Sequence, residues 1–525
     1  VMDASLNPPP RSKKNWRDLI EKMSEISTSA YRKNLNQSED FIRYFKTVTP
    51  HKSLGKLAIG SRPTKRKNVD NIQSLRAIPW VFAWTQIRLM LPAWLGTTEA
   101  LRYASIKKFS KSDVHQIILD NGAKILLKQT DFKKDEINLS AFSSGGFSTT
   151  SFKKLDSAKY TEDILGSADI GDLTILEKAN LYSQDAIDVA PYISEESEGV
   201  NGYSNNENLE TMFKLLYLNF TDLRINQTEV DRFKKVKIND YKIDKQSPKH
   251  QYHLEFRNKT YQDHPRVQYA TDKNFEKIDL TEVQSFYKDR FIDGGDFDFV
   301  FVGDFKFEVI EPLIEKYIGS LKSSDREDAY IDHNIRMNQN KEYIEYVEED
   351  PKKATVIRIY NKEFNYSFKE KIKSRLLFSI LDKLLFDEVR EKDNLVYSIS
   401  SGKNYDQKTP IELMSFYTYF ESDPKNIDKI KDKIDLVISK IKTKDFDLQI
   451  FKDQKLALKN TYKSSLRSNG FWLNVLTDAR QHNLNIERIT NTDAMLKSIS
   501  LNDIARLADY YFDENYTRSV MLLAE

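Results

Sequence analysis

Phe368 to Ser400 reads FKEKIKSRLLFSILDKLLFDEVREKDNLVYSIS. Ile372, Leu376, Ile380 and Leu384 recur every fourth residue, with Leu377, Leu381 and Leu385 beside them, which predicts an amphipathic helix over Phe368–Arg390. Arg390 ends that helix, and a polar turn through Lys392-Asp393-Asn394 leads to a strand carrying Tyr397. Helix, short turn and strand in immediate succession mark the region as mixed α/β.

The same alternation extends in both directions. Downstream, Asp423-Pro424 supplies a cap and a first-turn proline. Ile427, Ile430, Ile434, Val437, Ile438 and Ile441 then form one apolar stripe, which reads as core. Upstream, Ala354–Tyr360 is strand-like, and polar residues 322–341 read as a linker. Before the linker come Glu136–Phe142 (closed by Ser143-Ser144-Gly145-Gly146), a helix over Leu209–Phe220, the strand Phe297–Val302 and a helix over Glu308–Tyr317. His115–Leu119 and Ala123–Lys128, joined through Asn121-Gly122, predict a hairpin. No repeat between the two α/β units is legible in the residues.

Residues 1–102 are of another kind. They hold 18 lysines and arginines against 8 acidic residues, whereas the rest of the chain holds 63 against 71. Four of the five tryptophans (Trp16, Trp80, Trp84, Trp94) lie here. Asn15–Tyr31 reads as an amphipathic helix, and Gly60-Ser61-Arg62-Pro63-Thr64-Lys65-Arg66-Lys67 as a cationic loop, either simply solvated or suited to an anion. Ile78–Leu95 has the length of a membrane span, but Pro79, Gln86, Arg88 and Pro92 interrupt it and favour a soluble helix. Val1 is followed by Met2 and a polar stretch without leader features, so the expectation is a reading frame that extends upstream.

The 525 residues include no cysteine, which excludes disulfides and thiolate chemistry. The seven histidines (His51, His115, His250, His253, His264, His333, His482) form neither HExxH nor HxxEH. His250 and His253, three apart beside Glu255, are expected on a polar surface loop. The acidic larger segment and the short basic loop give little support for nucleic-acid binding.

VMDASLNPPP, LGKLAIGSRPTKRK and SLRAIPWVFAWTQIRLMLPAWLG, in that order, resemble the late-middle part of phosphoenolpyruvate carboxylase over about residues 1–102. That resemblance implies a mostly α segment, a piece of a helical barrel enzyme. It places Arg62 and Arg76 at the mouth of a site for an anionic substrate, with Mg²⁺ or Mn²⁺ needed in the complete enzyme. Ile87 departs from the family pattern, where asparagine is usual. The family's catalytic histidine, metal-binding carboxylates and glycine-rich loop belong to other parts of the enzyme.

NGAKILLKQTDFKKDEINLSAFSSGG, PYISEESEGVNGYSNNENLETMFKLLYLNF, FVFVGDFKFEVIEPLIEKYIGSL and LFDEVREKDNLVYSIS resemble the C-terminal half of pitrilysin/insulysin-type zinc metallopeptidases, over about residues 113–525. The resemblance implies two α+β domains, 113–325 and 326–525, each a mainly antiparallel sheet packed with helices. In that family zinc and the general base belong to an HxxEH-bearing half, and the C-terminal half gives an arginine and a tyrosine to the substrate. They fall on Arg390 and Tyr397. Spacing alone favours instead an arginine that caps its helix and a tyrosine in the strand core; the resemblance shifts the expectation to the substrate role.

The expectations are therefore a substrate-clamping half-peptidase that binds no metal alone and takes peptide beside an HxxEH half in cis or trans. A non-catalytic scaffold, or a carboxylase making oxaloacetate from phosphoenolpyruvate and bicarbonate, are the alternatives. No membrane or nucleic-acid partner is expected. The compartment would be periplasmic if the peptidase part is representative and cytoplasmic if the carboxylase part is. The abrupt join near residue 103 suggests a chimeric or mis-assembled reading frame, with a genuine fusion as the other reading.

Overall fold

The computed structural model describes residues 103–524, apart from residues 248 and 325 and the side chains of 405–407. The helix expected at 15–31, the cationic loop and the apolar run at 78–95 lie outside the described residues.

The first sheet contains β1 (Tyr103–Phe109), β2 (Val114–Leu119), β3 (Lys124–Gln129), β4 (Ile137–Ser144), β5 (Asp188–Ile193), β6 (Ser197–Ser204) and β7 (Asp298–Gly303). Its spatial order is β1-β2-β3-β7-β4-β6-β5. The expected hairpin forms β2 and β3, and Gly122 sits at φ 91°, a conformation glycine adopts without Cβ strain. The main helices of this unit are α1 (Ile175–Gln184), α2 (Leu209–Thr221), α3 (Gln227–Asp244), α4 (Lys249–Tyr261), α5 (Leu280–Arg290) and α6 (Phe307–Leu313), the last running into a π-helical turn at Ile314–Ile318.

The second sheet contains β8 (Glu342–Val347), β9 (Lys353–Glu363), β10 (Ser398–Gln407), β11 (Leu413–Ser422) and β12 (Thr517–Leu523), in the order β8-β12-β9-β11-β10. Its helices are α7 (Phe368–Leu385), α8 (Ile427–Thr443), α9 (Leu448–Ser465), α10 (Asn469–Gln481) and α11 (Leu501–Tyr511). The helix expected over Phe368–Arg390 is α-helical only to Leu385; Phe386–Glu391 closes as a π-helix.

Both sheets obey one rule. Counting from β3 in the first and β8 in the second, the spatial order is first, last, second, fourth, third strand. The first–last pair is parallel and every other pair is antiparallel in each sheet. The repeat that the residues conceal is thus explicit in the topology. β1 and β2 extend the first sheet beyond the shared pattern, and β1 is an exposed edge with five of its seven residues open to solvent.

One face of the first sheet, with Ile125, Leu127, Leu139, Phe299 and Phe301, packs on Met212, Phe213 and Leu216 of α2. Leu126, Val300, Val302 and Phe142 point the other way and join the core of the second unit. There α10 lies across β4 and β7, with Lys128 Nζ 4.1 Å above the Trp472 ring and Thr130 Oγ1 donating to Asn469 Oδ1 at 2.6 Å. Burial on both faces explains the unbroken apolar run of Phe299–Val302. In the second unit Tyr360 and Phe416 stack at 4.9 Å beneath Leu376, Leu377, Ile380 and Leu381 of α7 and the isoleucine stripe of α8.

The connection at 322–341 contains neither helix nor strand, yet it is fastened to the first unit. Arg290, nearly inaccessible, reaches Asp328 at 3.0 Å and Glu198 at 3.6 Å, while Arg326 pairs with Asp289 at 2.9 Å. His250 and His253 correct the expectation of a surface loop: both lie on α4. His250 is buried, its Nδ1 2.6 Å from Asp244. The polar residues around it are the solvent side of a helix, and composition alone does not separate that from a loop.

Candidate active-site face: the turn between α7 and β10

Three features hold the segment between α7 and β10. Glu388, on the π-helical turn, accepts from Lys392 at 2.9 Å and from Lys440 of α8 at 2.7 Å. These lysine hydrogen bonds hold its carboxyl down at about 2, well under the ordinary range. Asp393 pairs with Lys433 of α8 at 2.9 Å, and its carboxyl is also lowered, first by that hydrogen bond. Asn394 takes φ 48°, a left-handed position that asparagine tolerates, and turns the chain so that Leu395 and Val396 bury beneath α8.

The backbone N–H of Tyr397 donates to Glu421 O at 2.8 Å and starts the β10–β11 ladder. The aromatic ring is left 63% exposed, which excludes the strand-core reading. Arg390 is exposed on the same turn, its guanidinium 5.2 Å from the Phe386 ring centroid, and it makes no ion pair with any described residue. The fold therefore presents two donors, one cationic and one neutral, from a turn that Glu388 and Asp393 fasten to α8. Neither donor is consumed by packing.

Arg62 and Arg76 lie outside the described residues. Among the described residues no group of three or more histidine, cysteine, aspartate or glutamate side chains is arranged to hold a metal ion. The donor set around Arg390 and Tyr397, with lysines on its carboxylates, does not fit Zn²⁺. No described helix is long and apolar enough to cross a membrane. Glu388, Lys440, Asp393 and Lys433 were missed by sequence reasoning, because lysine and acid at those spacings are common on any solvated helix.

Comparison with known proteins assigns the two segments to different classes. Residues 277–458 match the family model "Peptidase M16 inactive domain", which spans the α7–β10 turn, and residues 1–120 match "Phosphoenolpyruvate carboxylase". The carboxylase match therefore runs past residue 102 into β1 and β2 of the first sheet.

Among solved structures, the Escherichia coli periplasmic protease PqqL superposes with a TM-score of 0.70 at 17% identity, covering 81% of this chain and 47% of that one. The ferredoxin protease FusC, solved as a mutant in complex with Arabidopsis ferredoxin, gives 0.70 at 14% identity, covering 99% and 59%. A peptidase M16 inactive domain from Pseudomonas fluorescens gives 0.64 at 16%, covering 78% and 97%. The described residues thus have the fold of M16 peptidases.

The N-terminal segment is 52% identical over 104 residues to the phosphoenolpyruvate carboxylase of Aliivibrio salmonicida and 51% identical over 104 residues to that of Hahella chejuensis. In each case the chain spans 12% of the relative's length and the match uses 20% of this chain.

Proposed function

We propose that residues 113–525 are the non-metal, substrate-clamping half of a pitrilysin-type metalloendopeptidase. The observation that carries this reading is the presentation of Arg390 and Tyr397, both exposed and unconsumed, from one braced turn inside the matched M16 region. In the reaction their N–H and O–H groups donate to the oxygen of the scissile peptide carbonyl. Charge grows on that oxygen as the carbon becomes tetrahedral, so the two hydrogen bonds strengthen towards the transition state. Each such donor is worth about 3 kcal/mol, or a hundredfold in rate. Zn²⁺ and the general base belong to an HxxEH-bearing half acting in cis or trans.

The test is reconstitution. The purified chain should bind no stoichiometric zinc and cleave no peptide alone, and should contribute to cleavage when an HxxEH half of the same family is added. Arg390→Gln and Tyr397→Phe should each lower kcat of the mixture about a hundredfold. Unchanged turnover in both variants would make the chain a scaffold, and zinc-dependent cleavage by the chain alone would overturn the reading. Oxaloacetate formation is not proposed: it rests on Arg62 and Arg76 and on a match spanning 12% of the carboxylases' length.

A further inference from the structure

The open face of the second sheet, opposite α7 and α8, is partly roofed by α4 of the first unit. The Tyr252 hydroxyl meets Ser519 Oγ of β12, and Lys259 Nζ donates to Tyr343 O of β8 at 2.8 Å. Where α4 lifts towards β10 and β11, a cavity of about 450 Å³ remains. Phe256, Arg257 and Tyr261 line it from the helix, and Asn361, Asn404 and Ser415 from the sheet. A second cavity of about 400 Å³ abuts it and shares Asp244, Arg257 and Tyr269, with Lys159 on its far wall.

The charges in this double cavity are unevenly matched. Asp244 is engaged, accepting from His250 Nδ1 at 2.6 Å and from the Tyr269 hydroxyl at 3.3 Å. Arg257 spends its Nε on Val267 O, and no ion pair joins its guanidinium to a described carboxylate. Lys159 likewise has no described carboxylate at ion-pair distance; Asp156 and Glu195 act on it only from further away. Its ammonium is pushed down by burial first and then by Arg257, which an incoming anion would relieve. Asn361, 4% exposed, donates to Asn338 O at 3.0 Å, which fixes its amide and leaves Oδ1 without a partner. An unpaired guanidinium, aromatic walls and a spare amide acceptor are what an extended peptide bearing a carboxylate requires.

We infer that the cavity between α4 and the second sheet is a substrate subsite in which Arg257 takes a peptide carboxylate, either the chain's C-terminus or an acidic side chain. The inference rests on the peptide-binding reading above. Asn404 lies seven residues beyond Tyr397 on β10, so the subsite is roughly 20 Å from the Arg390–Tyr397 pair, at ~3.3 Å per residue. A six- or seven-residue extended segment would connect them.

The test measures binding by the full chain, without any metal half, using fluorescence anisotropy of a labelled alanine–serine dodecapeptide in 50 mM salt. Four forms are compared: free carboxyl or amidated C-terminus, each with glutamate or glutamine at the centre. Either amidation or the glutamate-to-glutamine change should weaken binding about tenfold, and which one does so identifies the source of the carboxylate. Arg257→Gln should abolish that difference. Asn404→Trp, at an exposed rim position, should plug the cavity and weaken every form, with melting curves confirming that both variants fold. Peptide forms that all bind alike, or no binding at all, would overturn the subsite. Full affinity in both variants alongside loss in Arg390→Gln would also overturn it, and would leave the Arg390–Tyr397 reading standing.

Discussion

Arg390 and Tyr397 are exposed and, apart from the surface contact of Arg390 with the Phe386 ring, add little to packing, so their removal should leave stability unchanged to within about 0.5 kcal/mol while activity falls. Urea melts of Arg390→Gln and Tyr397→Phe beside the reconstituted rates check this. Arg290 is the opposite case: 3% exposed, it faces Asp328, Asp289 and Glu198. Arg290→Met removes the cation that Asp328 meets at 3.0 Å beside the buried Glu198, whose carboxyl burial pushes up to about 9, so the loss should be about 2–3 kcal/mol, below that of a fully buried ion pair. The same melts should show it. Nothing in the sequence marks Arg290; burial sets it, tying down the linker, apart from the exposed Arg390.

The π-helical turn after α7 decides whether the donors are held or loose. Glu388 fastens it to α8 through Lys392 and Lys440. Because the folded carboxyl titrates at about 2, below its ordinary value, the stabilisation is fully present above that ordinary value. It is lost as pH falls from about 4.5 towards 2. Glu388→Gln should cost about 1 kcal/mol at neutral pH, the worth of a partly screened pair, and the gap to the parent should close in melts below pH 3. The amphipathic pattern of α7 was legible to its last turn. The switch to a π-helix was not, and one of the salt bridges that brace it, Lys440 to Glu388, comes from a helix some fifty residues away.

At the scale of the whole molecule, the two units are welded by α10 on the back of the first sheet. Arg480 Nε donates to Asp298 at 2.7 Å and Asn469 Nδ2 to Glu136 at 3.0 Å, around the buried Trp472. Trp472→Ala should destabilise the chain by about 3–5 kcal/mol. Proteolysis between the units at residues 322–341 should rise with it, which limited digestion would reveal. The carboxylase-like segment belongs to this scale too. The family match to residue 120 overlaps β1, an edge strand that the shared five-strand pattern does not require. We expect a continuous read of the source DNA across the codons for residues 1–115 to break the frame near residue 103; an intact frame would establish a real fusion.

Resemblance to known peptidases pointed to Arg390 and Tyr397, while the sequence by itself determined the change of character near residue 103, the hairpin at Asn121-Gly122 and the helix stripes of α2, α7 and α8. Those signals are local: periodicity, turn chemistry and motif spacing are complete within a few dozen residues. Only the tertiary structure decided that the two sheets share one strand order, because the last strand of each inserts between the first two and sequence distance hides that pairing. It also decided that His250 is buried on a helix, that 322–341 is fastened down, and that Arg257 stands unpaired beneath the second sheet. Each of these depends on which distant charges and apolar faces the fold brings into contact, and no spacing along the chain encodes it.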